Sequence, residues 1–133
     1  MKVRQAARQS VLSALGRVGT ASLRDKVYHC ADILKAKSGG RFSEIYLPCS
    51  QAVTCRNHYV HGSTAEFDYQ NEFSAFAFLI DTLEFVFAAS DLIALGWDFD
   101  TWRSNGTTMS HNFGMYIANY EENMGQLKCL VSK

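Results

Sequence analysis

The chain has 133 residues, of which 47% are apolar and 20% charged, with 13 acids balancing 13 bases. That is enough chain for one domain that buries roughly two thirds of its unfolded surface, so a packed core needs neither metal nor disulfide staples. The apolar content excludes a disordered chain, and zero net charge excludes a protein that holds duplex nucleic acid mainly by counterion release. Any nucleic-acid contact must be local.

The four cysteines, Cys30, Cys49, Cys55 and Cys129, form no C-x-x-C pair and no zinc-knuckle spacing, as expected of reduced thiols in a cytoplasm. The basic start (Lys2, Arg4, Arg8) leads into an amphipathic stretch rather than an uninterrupted apolar run, so no export signal is read. The most apolar segment, Phe73 to Leu95, is long enough for a bilayer but carries Asp81, Glu84 and Asp91, each costly in hydrocarbon. It reads as a buried helix.

Pro48 is the only proline, and β-branched residues never alternate with polar ones over a useful length, so the pattern predicts an all-α fold of four or five helices. A first helix is expected over Arg4 to Arg17, with Gly16 to Gly19 as its stop. Ser22 with Asp25 three residues on marks the start of a second; Leu23, Val27, Cys30, Ala31 and Leu34 keep helical spacing until Ser38-Gly39-Gly40. A third is expected from Ser43 to His61, capped by Ser43 and stopped by Gly62, with Pro48 tolerable near the start.

A fourth helix is expected from about Phe67 to Leu95. Its polar residues, Gln70, Ser74, Asp81, Glu84 and Asp91, gather in an arc of roughly 100° at 3.6 residues per turn, and the rest is almost wholly apolar. A helix wet on so narrow a stripe is central to a bundle or half of a subunit interface, and dimerisation through it and the third helix is the expectation. Trp97 to Ser110, with Asp98, Asp100, Arg103, Asn105 and Gly106, reads as a polar loop. A last helix follows, capped by Ser110, with Phe113, Tyr116, Ile117, Tyr120, Met124 and Leu127 on its apolar face. No repeat or low-complexity tract is present, and the whole of residues 1–133 reads as one domain.

Chemistry concentrates at the end of the third helix, in Cys55-Arg56-Asn57-His58-Tyr59-Val60-His61-Gly62. A guanidinium can clamp an anion through two hydrogen bonds, and an imidazole can take or give a proton near neutral pH. No carboxylate lies inside the cluster; Glu66 and Asp68 come after the helix stop, so metal-free phosphodiester chemistry is easier to build here than a magnesium site. Each residue also has a bland account: Arg56 against the helix dipole, His61 as a cap for the last carbonyls, Asn57 as an ordinary helix-end residue, Tyr59 and Cys55 as packing. His58 and His61, three residues apart, could face one transition metal but lack a third ligand in the sequence, so His58 reads as an auxiliary cleft residue and no metal or cofactor is expected.

Arg56-Asn57-x-x-x-His61-Gly62 resembles the R-x4-6-H motif of the HEPN superfamily, many of whose members are ribonucleases. A helix ending in that motif, a polar turn, a long apolar helix and the tail His111-Asn112-Phe113-Gly114-x-Tyr116 together resemble the HEPN domain of ApeA-like proteins of bacterial defence, over about Ser22 to Leu130. The resemblance implies a four- to five-helix bundle that dimerises and sets two motifs side by side in a cleft that cuts single-stranded or loop RNA without metal, as a defence effector or toxin. By the same resemblance His61 is the general base or acid at the ribose 2′-OH, Arg56 holds the scissile phosphate and Asn57 orients the His61 ring. Five positions on a regular helix separate Arg56 and His61 by about 140°, so they need not converge within one chain, and a second chain can bring its own Arg56 or His61 within reach.

The alternative is a non-catalytic HEPN module that binds RNA, a nucleotide or a partner protein. ApeA-like proteins usually carry a region before this domain, whereas here the first helix begins almost at once; a fragment, an excised domain and a stand-alone module all remain open, as does a sensor segment or an inhibitory partner. A HEPN subgroup silenced by a nucleotidyltransferase has tyrosine two residues after the motif histidine, where this chain has Ser63, so that control is not expected.

Overall fold

The computed structural model describes residues 4–8, 22–104 and 112–132. Helix α1 is described over residues 4–8, all exposed; the rest of the expected first helix, the end of the Trp97 to Ser110 segment and the Ser110 cap lie outside the described residues. Then come α2 (Leu23–Lys37), α3 (Tyr46–His61), α4 (Phe73–Ala94), the short α5 (Phe99–Ser104) and α6 (Asn112–Val131). Among the described residues there is no strand, and the fold is an all-α bundle.

Each long helix sinks one apolar face, and α4 is the shared partner of α2, α3 and α6. Val27, Ala31 and Leu34 of α2 lie one turn apart and are buried, as are Cys49, Ala52, Val53 and Cys55 of α3. Because α4 is covered from several sides, it buries Phe78, Leu79, Thr82, Phe85, Val86 and Ala89 along most of its length, while Ser74, Asp81, Glu84 and Asp91 stay in the solvent. Inside this core a hydrogen bond between Thr82 of α4 and Tyr116 of α6 crosses helices. The Thr82 hydroxyl donates to the Phe78 carbonyl at 2.7 Å and accepts from the Tyr116 phenol at 2.9 Å, so these two hydroxyls are satisfied. Burial pushes the Tyr116 phenol well above its usual range.

Phe42 joins the layers. It is fully buried in the α2–α3 connection, its ring 5.5 Å from Phe85 of α4, 5.9 Å from Phe99 of α5 and 5.1 Å from Tyr120 of α6. The connection is therefore a wedge, not a spacer.

Three expected boundaries are corrected. Helix α3 begins at Tyr46, with Ile45 at its N-cap and no side-chain cap, because residues 41–45 are a turn that drives Phe42 and Ile45 into the core; Ser43 does not cap it. Pro48 is then in the first turn, where a missing N–H costs no helical bond. Helix α4 begins at Phe73 rather than Phe67. The Asp68 carboxylate accepts from the backbone N–H groups of Gln70 and Asn71, closing an Asx turn that competes with helix, and these bonds hold the carboxyl below its usual range. Gln70 thus leaves the polar stripe. Finally, the expected polar loop contains α5: Asp98 accepts from the Thr101 N–H and hydroxyl, and Phe99, Trp97 and Trp102 pack on the core.

The C-terminus of α3 is sharp. Gly62 takes φ +71° and ψ 20°, its N–H donating to the His58 carbonyl at 3.0 Å, and the Ser63 N–H reaches the Asn57 carbonyl at 3.5 Å. Ser22 caps α2 as expected, accepting from the Asp25 N–H at 3.0 Å.

Two stability measurements test these assignments. Phe42→Ala should lower the unfolding free energy by about 3–5 kcal/mol in urea titration, as for a central core aromatic, whereas a mere connector residue would leave it near the wild-type value. Gly62→Ala should cost about 1–2 kcal/mol purely from left-handed backbone, since a Cβ there meets nothing within 4 Å; an unchanged melting temperature would contradict the cap.

Candidate functional site

The backbone geometry at Gly62 decides where the cluster sits. By ending the helix, it makes His61 the last helical residue, exposed with Arg56, while Asn57 and His58 are half-buried. Below them the helix is core: Cys55 is buried, and burial raises its thiol above the usual range. Cys49, deeper still, is pushed up to about 12 by burial, with Cys30 adding to it. All four cysteines are free thiols, and the two on α3 face the core rather than the site.

Arg56, Asn57 and His61 converge within one chain. Arg56 Nη1 lies 3.4 Å from His61 Nε2 and donates to Asn57 Oδ1 at 3.2 Å. A 140° offset does not require convergence within one chain, yet here it occurs. The arginine side chain spans the one and a half turns along the helix, and the ring stands at the free end with no following turn in the way. A guanidinium has only donors, so this contact requires His61 Nε2 to carry the lone pair and Nδ1 the proton. Asn57 meets the guanidinium; its described partner is Arg56, not the His61 ring.

His58 does something else. Its Nδ1 lies 2.7 Å from the Ser63 carbonyl, which can only accept, so the ring donates and ties the segment after Gly62 back to the helix. The ring rests against Tyr59 at 5.1 Å and Tyr69 at 5.5 Å. Tyr69 is buried beneath the site and also meets Phe67, at 4.7 Å, and Phe76, at 6.4 Å. The sequence gives no periodic sign of it, because Tyr69 lies in the Asx turn rather than on a helix.

A second guanidinium stands on the neighbouring helix. Arg24 of α2 donates from Nη1 to Ser50 Oγ and from Nη2 to Thr54 Oγ1, each at 3.3 Å. Every Asp and Glu of the chain lies among the described residues, and among those residues the only ion pair is Lys128 with Glu44, at 2.6 Å on the surface. Arg24 and Arg56 are therefore both held by neutral groups. The hydroxyl pair Ser50 and Thr54, one turn apart, was readable in the sequence; Arg24 as its partner was not, because nothing local links residue 24 to residue 54.

What this arrangement can do follows from its donors and acceptors. An unneutralised guanidinium offers paired N–H groups to a phosphate, and an imidazole whose Nε2 carries a lone pair can accept a proton from a hydroxyl once no other donor occupies it. Among the described residues no three His, Cys, Asp or Glu side chains gather as a metal cluster, and no helix is long and apolar enough to cross a membrane.

No curated protein and no solved structure matches the chain. A family model, Apea-like HEPN, matches residues 2–101. That span starts earlier than the resemblance read from Ser22 to Leu130 and ends before α6, so the aromatic tail lies outside it, while the α3 motif and all of α4 lie inside. With three quarters of its length matched, and the motif standing at the free end of the helix ahead of the long apolar one, the chain belongs to the Apea-like HEPN family.

Proposed function

We propose that the protein is a metal-independent endoribonuclease that cuts single-stranded or looped RNA, acting in the cytoplasm as a defence effector or toxin. The observation that carries this reading is the contact of Arg56 with His61 at an exposed helix end, with no carboxylate paired to the guanidinium. A phosphate entering the notch competes for the guanidinium and draws it off the ring. That frees Nε2 to take the proton of the adjacent 2′-OH. The 2′-oxygen then forms its bond to phosphorus, the bond to the 5′-oxygen breaks, and the leaving oxygen takes a proton from water while His61 gives up to solvent the one it accepted, leaving a 2′,3′-cyclic phosphate and a 5′-OH end. Arg56 offsets the charge that grows on the phosphoryl oxygens, and Asn57 keeps the guanidinium aimed. His58, through Ser63, fixes the rim.

The working form in this reading is a dimer. Tyr59 (55% exposed) and Val60 (56%) at the end of α3, with Phe73 (67%) and Ile80 (47%) on α4, leave large apolar side chains in solvent beside the site. Tyr59 packs on Phe76 of α4 at 5.9 Å, so the two helix surfaces are contiguous. An apolar surface of this kind marks an interaction site, and a two-fold axis through it would set two Arg56–His61 pairs along one cleft.

Purified protein incubated with single-stranded RNA in EDTA should yield cyclic-phosphate ends. His61→Ala and Arg56→Ala should each lower the rate at least about hundredfold, the ordinary loss for a proton-transfer or charge-stabilising group. RNA bound but never cut would instead support a non-catalytic HEPN module. For the dimer, Ile80→Glu should shift the molecular mass in light scattering from two chains to one and lower cleavage at least tenfold; a monomer cleaving at the full rate would remove the shared cleft.

A further inference from the structure

Seen along α3, Ser50, Thr54, Asn57 and His61 recur at spacings of four, three and four residues, which places them on one face of the helix. From Thr54 to His61 that face runs about 10 Å at 1.5 Å per residue. It carries hydroxyls, a carboxamide and an imidazole, and no carboxylate. Arg24 lies across its inner end, Arg56 across its outer end.

The Arg24 environment is unusual for a guanidinium that serves only to fasten two helices. Such a residue normally meets a carboxylate, which neutralises it. Here the two partners are hydroxyls at 3.3 Å, which orient the fork yet leave its charge intact. Of the five N–H donors of a guanidinium, the hydroxyls occupy two. Ser50 and Thr54 also retain acceptor and donor capacity of their own. In a chain with no net charge, two guanidiniums without a carboxylate partner, one reaching over from α2 and one from α3 itself, bracket this face and make a local anion track.

We propose that Arg24, oriented by Ser50 and Thr54, is a second phosphate-binding residue that grips the RNA backbone next to the link held at Arg56 and His61, so that the substrate strand lies along α3. The substrate is then an extended single strand that fills more than the scissile step. This inference rests on the ribonuclease reading for the identity of the anion, but its geometry is independent of cleavage.

The test uses the full chain carrying His61→Ala, so that binding is read without cutting. Its affinity for a fluorescein-labelled uridine oligonucleotide is measured by anisotropy across a salt series, with melting temperatures beside it. Arg24→Gln should weaken binding about tenfold and reduce the slope of log K against log salt by about 0.7, the value for one phosphate contact on a single strand. Arg24→Lys should restore the slope, since a lysine supplies the same charge. If Arg24→Gln leaves affinity and slope unchanged while Arg56→Gln weakens binding, the Arg24 site is overturned and the ribonuclease reading stands. If affinity falls only together with the melting temperature, and lysine does not restore the slope, Arg24 is a structural fastening and the proposal is overturned. If the His61→Ala parent and the wild type both fail to bind or cut the oligonucleotide, the ribonuclease reading itself falls, and the second phosphate site with it.

Discussion

The left-handed backbone at Gly62 is the constraint from which the site follows. A residue with a Cβ would resist φ +71°, and α3 would tend to run on through Ser63 and Thr64, placing another turn over the His61 ring. Because the chain turns out of the helix instead, His61 is a terminal residue, its ring is open on one side, and the arginine one and a half turns earlier can reach it. His58 and the Ser63 carbonyl then lock the departing segment. A single glycine thus converts a linear spacing that looks divergent into a contact at 3.4 Å.

The precision of that contact depends on the rest of the bundle. Arg56, Asn57 and His61 sit at the end of a helix whose earlier turns are core, with Cys49, Ala52, Val53 and Cys55 packed inward. Helix α4 is the common wall against which α2, α3 and α6 are set, and Phe42 closes the space where the α2–α3 connection would otherwise swing. A site built on such an element inherits its rigidity, which is what positioning a phosphate and a proton acceptor requires. The flanking aromatics, Tyr59, Tyr69 and Phe76, extend the same packing to the rim.

The helices were legible because their burial is periodic. Val27, Ala31 and Leu34, or Tyr116, Tyr120, Met124 and Leu127, could hardly be arranged to bury one face in any other way. The ends were not, since ends are decided by side chains competing for a few backbone groups. Asp68 held its turn against an apolar run that favoured helix, and Asp98 began a short helix inside what its charges suggested was a loop. The motif was readable as a cluster of residue types, yet the approach of Arg56 to His61 was not, because angular offset on a helical wheel ignores side-chain reach at a terminus. Arg24 shows the firmer limit: its partners are 26 and 30 residues away, and only the packing of α2 on α3 brings them to it.

Overall charge is a poor guide to what such a surface attracts. The 13 acids and 13 bases cancel in sum, but a sum says nothing of where each charge stands. Asp81, Glu84 and Asp91 line the solvent stripe of α4, and Asp68 and Asp98 are occupied with backbone N–H groups. None of these forms an ion pair with the arginines of α2 and α3. At physiological ionic strength an exposed charge is screened beyond about 8 Å, so an anion at the end of α3 responds chiefly to the guanidiniums beside it and only weakly to carboxylates farther off. A neutral chain can therefore hold one strand of a polyanion along a single helix face while lacking the broad basic surface that a duplex demands. The composition excludes only the latter.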